Sequence, residues 1–141
     1  MYEKYRTYLY EIIRNTENGM KPTESELEIL QIIWEKGQCS VRDVHEVLEK
    51  TKDAGYTTTL KLMQIMHDKG LVERDTTAKT HLYKALITRE QAQNTALDKI
   101  ISTVFNGSSS QLVMQVLSNK QASKQELDMI KNYLDNLEKN N

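Results

Sequence analysis

A chain of 141 residues suits one domain, or a small domain with an appendage, and buries roughly two-thirds of the surface its unfolded form exposes. Apolar residues make up 38% and charged residues 28%, with one proline and five glycines, which argues against a disordered or fibrous chain and favours a helical one. The formal charge of −1 lacks the cationic excess of a protein that coats nucleic acid, and the single cysteine, Cys39, excludes an internal disulfide or a multi-thiolate metal site.

No apolar run reaches the roughly 18 residues of a membrane span, and the tyrosine-rich N-terminus has no signal-peptide pattern. The expected compartment is the reducing cytoplasm, without membrane insertion. Charge distribution says more than the sum. Residues 57–89 hold Lys61, Lys69, Arg74, Lys79, Lys84 and Arg89 against Asp68, Glu73 and Asp75, a local excess of positive charge.

In residues 1–19, Tyr2, Tyr5, Leu9 and Ile12 share one helical face. Two readings stand: this segment packs on the following domain, or it is an extension of little function, since MKPTESELEIL from Met20 is itself a plausible start. Thr23 and Glu26 have capping-box spacing, so a helix begins there, with Leu27, Leu30, Ile33 and Trp34 as its buried stripe and Gly37 as its end. QCS is long enough for a stub of strand. Ser40 and Asp43 repeat the cap pattern before a second helix, whose stripe is Val41, Val44, Val47 and Leu48.

A third helix is expected from about Thr57 to Lys69, closed by Gly70. At 100° per residue, Thr59, Leu62, Met63 and Met66 fall on its inner side, while Thr57, Lys61, Gln64, Ile65 and Asp68 fall on its outer side. LVERD and LYKALI are short extended runs joined by TTAKTH, a two-stranded ribbon. Three helices followed by a hairpin is the winged helix-turn-helix order, and it fills residues 20–88.

From residue 89 to 141 the pattern is helical and narrower. Thr88 and Gln91 form another capping pair, and Ala92, Ala96, Ile100 and Val104 trace a stripe that ends before NGSSS. Leu112, Val113, Val116 and Leu117 mark a short helix. Ser123 and Glu126 start a last one, in which Leu127, Ile130, Leu134 and Leu137 recur at spacings of 3, 4 and 3, the seam of a helix packed on a partner helix. Three narrow stripes make a poor core alone. The expectation is a dimerisation domain in which Ile100, Val104, Leu112, Val116, Leu127, Ile130, Leu134 and Leu137 are covered by a second copy.

Catalytic chemistry finds little footing. HEVLE, starting at His45, has Glu49 where a zinc-protease helix needs its second histidine, so His45 is read as a surface residue. Cys39 is read as a small buried side chain beside the second helix. No phosphate-binding glycine loop, dinucleotide fingerprint or GxSxG occurs, and the chain is read as non-enzymatic, with no metal or cofactor.

DNA binding has a better physical basis. Thr57, Thr58, Lys61, Gln64 and Ile65 offer hydrogen-bonding groups, a cation and an apolar contact for thymine methyls on one side of a helix. Arg74, Lys79 and Thr80 on the ribbon would meet the phosphate backbone, which positions rather than specifies. Periodicity alone is equally compatible with an ordinary amphipathic helix beside a charged hairpin. The near-neutral charge also suits a winged helix used as a protein-protein adaptor.

The runs ESELEILQIIWEKG, YTTTLKLMQIMHDKGLVER and KTHLYKALIT together resemble the penicillinase-repressor family, whose members regulate β-lactamase and methicillin-resistance genes. The likeness extends over about residues 20–139. It implies a winged-helix domain, a helical dimerisation domain and repression of transcription by a homodimer on a pseudo-palindromic operator. It also implies relief through a membrane sensor with a zinc-protease domain, or its effector protease, by cleavage in the dimerisation part. The chain departs from the family in three places. Arginine is common at the positions of Gln64 or Ile65, the usual Asn–Phe cleavage junction is replaced by Gln115–Val116, and the C-terminal cysteine motif of copper-responsive relatives is absent.

Overall fold

The computed structural model describes residues 21–119 and 121–141, so both readings of residues 1–19 lie outside the described residues. The element order is α1 (Glu24–Lys36), β1 (Gln38–Cys39), α2 (Val41–Leu48), α3 (Tyr56–Asp68), β2 (Val72–Asp75), β3 (Leu82–Ala85), α4 (Arg89–Thr103), α5 (Ser109–Asn119) and α6 (Lys124–Lys139). The described residues divide into two compact units that part between residues 95 and 96. The first is a winged helix-turn-helix and the second is wholly helical among the described residues, so the architecture is mainly α.

Local sequence signals set the helix starts. The Thr23 hydroxyl accepts from the Glu26 amide while the Glu26 carboxylate accepts from the Thr23 amide, and Ser40 and Asp43 repeat the exchange at α2. Each box satisfies two backbone donors that an α-helix leaves free, at about 1 kcal/mol per cap. Those bonds from Ser40 hold the Asp43 carboxyl below its ordinary range. Thr88 and Gln91 cap α4 reciprocally, whereas at α6 the Ser123 hydroxyl accepts from the Glu126 amide. Gly37 and Gly70 end α1 and α3 at φ +84 and +80, a backbone region in which a Cβ would be strained.

The core of the first unit is one cluster drawn from every element before α4. Ile29, Leu30 and Ile33 of α1, Val44 of α2 and Met63 and Met66 of α3 are fully buried, and Tyr83 and Val72 close it from the sheet. Sequence periodicity drew the α1 stripe too narrowly. Ile29 and Ile32 are buried while Leu27 and Trp34 are only half-buried, because α2, α3 and the sheet all pack on α1. On α3, Leu62 is likewise half-buried.

Two other expectations change. The ribbon is part of a three-stranded antiparallel sheet in the order β1-β3-β2, with Cys39 and Arg74 flanking Tyr83 on one face. His45 is not a surface residue. Its Nδ1 lies 3.0 Å from the Thr59 hydroxyl, its ring meets Tyr56 edge-on at 5.6 Å, and its Nε2 is 3.5 Å from Glu49. The approach of α3 encloses it, which no feature of α2 alone foretells.

Cys39 is buried as expected, and burial, aided by Asp43, pushes its thiol up to about 11. The thiolate is the reactive form, so modification by a thiol reagent at pH 8 is expected to proceed only as fast as the unit opens. Labelling of the native protein at the rate of an exposed thiol would contradict that placement.

Candidate nucleic-acid interface

The turn from α2 to α3 presents α3 with one face in the core and one in solvent. Thr59, Met63 and Met66 are buried, whereas Thr57, Thr58, Lys61, Gln64 and Ile65 are exposed. Ile65 stands 38% exposed although it is β-branched and apolar. Gly55 caps α3 without a side-chain hydrogen bond, in contrast to the boxes of α1 and α2, so no capping side chain occupies the free backbone donors of the first turn. The five residues grouped from the sequence are therefore all accessible on the solvent side of α3.

The far end of α3 is tied down. Lys69, its C-cap, donates from Nζ to Glu26 Oε1 at 2.7 Å, and Glu26 is only 1% exposed. Burial alone would raise the Glu26 pKa. The Lys69 hydrogen bond and the Thr23 cap outweigh it and hold the carboxyl below its ordinary value. This pair, absent from the sequence reading, joins the start of α1 to the end of α3.

The wing residues divide. Lys79 and Thr80 are exposed in the loop between β2 and β3. Arg74 is half-buried on the sheet face it shares with Tyr83, and its Nε is enclosed without a hydrogen-bond partner among the described residues. A cleft of about 390 Å³ opens between the wing, the start of α2 and the start of α3. Ser40, Val41 and Arg42 form one wall, Tyr56 and Leu60 another, and Lys79, Thr80 and His81 the third, over Tyr83. Sequence reasoning missed Arg42, Tyr56 and His81, because only the fold brings them beside Lys79.

The second unit has no buried residue among those described. Ile100, Val104, Val116, Leu127, Leu134 and Leu137 are exposed, and Leu112 and Ile130 are half-buried. Val113 is exposed as well, and Leu97, Met114, Met129 and Tyr133 add exposed apolar surface beyond the residues grouped from periodicity.

The profile of the penicillinase repressor family matches residues 22–136, across both units. The chain belongs to the penicillinase repressor family. It is similar to the methicillin resistance regulatory protein MecI of Staphylococcus aureus (strain N315), at 24% identity over 112 residues, covering 79% of this chain and 91% of that protein. The MecI protein of Staphylococcus epidermidis matches to the same extent. The penicillinase repressor of Staphylococcus aureus is 18% identical over 115 residues, covering 82% of this chain and 91% of that repressor. The penicillinase repressor family is named for repression rather than for a catalytic activity. No described helix of this member is long and apolar enough to cross a membrane.

Proposed function

We propose that this penicillinase repressor family member is a cytoplasmic transcriptional repressor that binds a pseudo-palindromic operator as a homodimer. The outward face of α3 carries the reading: Thr57, Thr58, Lys61 and Gln64 offer hydrogen bonds to base edges or adjacent phosphates, and Ile65 offers an apolar surface for thymine methyls. Lys79, Thr80 and the guanidinium end of Arg74 serve the backbone. Two α3 helices in one dimer would enter major grooves about one helical turn apart or a multiple of it. The names of the similar proteins support repression. The exposed apolar surface of α4, α5 and α6 supports the second copy.

Repression ends when the two copies separate, because one reading head makes too few phosphate contacts to hold DNA at cellular salt. Cleavage in the dimerising unit through a membrane sensor with a zinc-protease domain, or its effector protease, is one route. Gln115 and Val116 lie within α5, so a protease acting there requires that helix to open.

The test is a gel shift on the promoter DNA upstream of the chain's own gene. Lys61→Ala and Gln64→Ala are each expected to weaken binding by about 1–3 kcal/mol and to relax sequence preference. Unchanged affinity and preference would remove α3 from the interface. A chain that shows no salt-dependent DNA binding would instead be a protein-protein adaptor.

A further inference from the structure

Resting on the DNA-binding reading, we infer that the cleft between the wing and the two helix starts seats a backbone phosphate, with protonated His81 as one of its ligands, so that DNA binding is proton-linked. Three separate elements bring donors to one concavity. Arg42 comes from α2, Tyr56 from α3, and Lys79 and His81 from the wing. None of the described residues lining the cleft is acidic. The nearest carboxylates along these elements are engaged elsewhere: Asp43 accepts from the Ser40 amide at 2.9 Å, and Asp75 accepts from the Thr77 amide at 2.9 Å and its hydroxyl at 2.7 Å.

The volume of about 390 Å³ admits a phosphate with part of its sugar. Thr57 and Thr58 follow Tyr56 directly, so a strand lying over the cleft continues onto the outward face of α3. That continuity favours a duplex backbone over a free anion. Arginine and lysine side chains keep their charge through the neutral range, whereas histidine changes its charge within it. A phosphate held against an imidazole favours the protonated ring over the neutral one. A phosphate contact made through the protonated ring is therefore lost as the pH rises and the ring gives up its proton.

His81 is exposed, so substitutions there leave the core untouched. The other described histidines provide the contrast: His45 is engaged by Thr59 and Glu49, and His67 lies at the far end of α3 beside Asp68. The experiment measures binding of the full chain to a random-sequence duplex at constant ionic strength from pH 6 to pH 8. Wild type is expected to weaken about fivefold over that range as the imidazolium–phosphate contact is lost. His81→Gln should be weak at both ends and nearly flat, His81→Arg tight at both, and His67→Gln should follow wild type. Arg42→Ala should reduce the slope of log K against log salt by about 0.9, one phosphate contact.

A His81→Gln variant that keeps the wild-type pH slope, or a His81→Arg variant no tighter than wild type at pH 8, overturns the proposal. Operator recognition by α3 is judged separately, by the response of promoter binding to Lys61→Ala and Gln64→Ala. Failure of that response leaves the random-duplex linkage intact. Wild type that binds neither duplex overturns both.

Discussion

A chain carrying Leu127→Asp and Leu134→Asp is expected to sediment as a monomer and to bind its operator about a thousandfold more weakly, near its affinity for random DNA. In α6 these leucines lie on the stripe shared with Ile130 and Leu137, and they stand 39% and 53% exposed in the single chain. Covering one such side chain stabilises a dimer by about 1.5–3 kcal/mol, and an unpaired carboxylate in its place opposes association more strongly still. The winged-helix unit keeps its own core around Leu30, Met63 and Tyr83, so that unit of the variant remains folded. Sedimentation and a gel shift on the same sample decide the matter. A wild-type chain that is monomeric, or a monomeric variant with undiminished operator affinity, would overturn the dimer.

Replacing Lys69 with methionine is expected to destabilise the reading unit by about 3 kcal/mol at pH 7. Removing one partner of a buried ion pair typically costs 3–5 kcal/mol, because the charge left behind is uncompensated. Here the lower end applies, since the Lys69 side chain is 25% exposed while that of Glu26 is 1% exposed. Oε2 of Glu26 already has no hydrogen-bond partner among the described residues, so the loss of Lys69 leaves the carboxylate only its Thr23 cap. Glu26→Gln keeps an acceptor for that cap and removes the charge, with an expected loss of about 1 kcal/mol.

The pH dependence separates the two variants from wild type. Because the Glu26 pKa is lowered in the folded chain, its stabilising contribution is present above the ordinary value of 4.5 and is lost as pH falls through the lowered value. Denaturant melts of wild type should therefore lose stability on acidification below about that value, and Glu26→Gln should lose less. A Lys69→Met variant within 1 kcal/mol of wild type, or a Glu26→Gln variant with the full acid response, would show that the pair contributes little.

What was legible in the sequence is what neighbours along the chain decide. The caps at Thr23, Ser40 and Thr88, the turn glycines Gly37 and Gly70, and the outward grouping of Thr57, Lys61, Gln64 and Ile65 depend on spacings of a few residues. Backbone donors and helical period fix these before any tertiary contact forms. Features joining distant segments were not legible: β1 pairs with β3, Lys69 reaches Glu26, His45 meets Thr59, and Arg42 shares a cleft with His81. Each side chain taken alone reads as an ordinary polar surface residue. The family resemblance was legible because three separated segments agreed, and the family profile spans them.

Trp34 is the only tryptophan of the chain. Its indole nitrogen donates to the Ile87 carbonyl at 2.9 Å, and the Arg89 guanidinium lies 5.6 Å from its ring centre, at the first residue of α4. The protein thus carries a single indole, excited selectively at the red edge beyond its seven tyrosines, seated where the winged helix gives way to α4. Its emission follows the loosening of that junction while far-ultraviolet dichroism follows all six described helices, so a single unlabelled sample reports both.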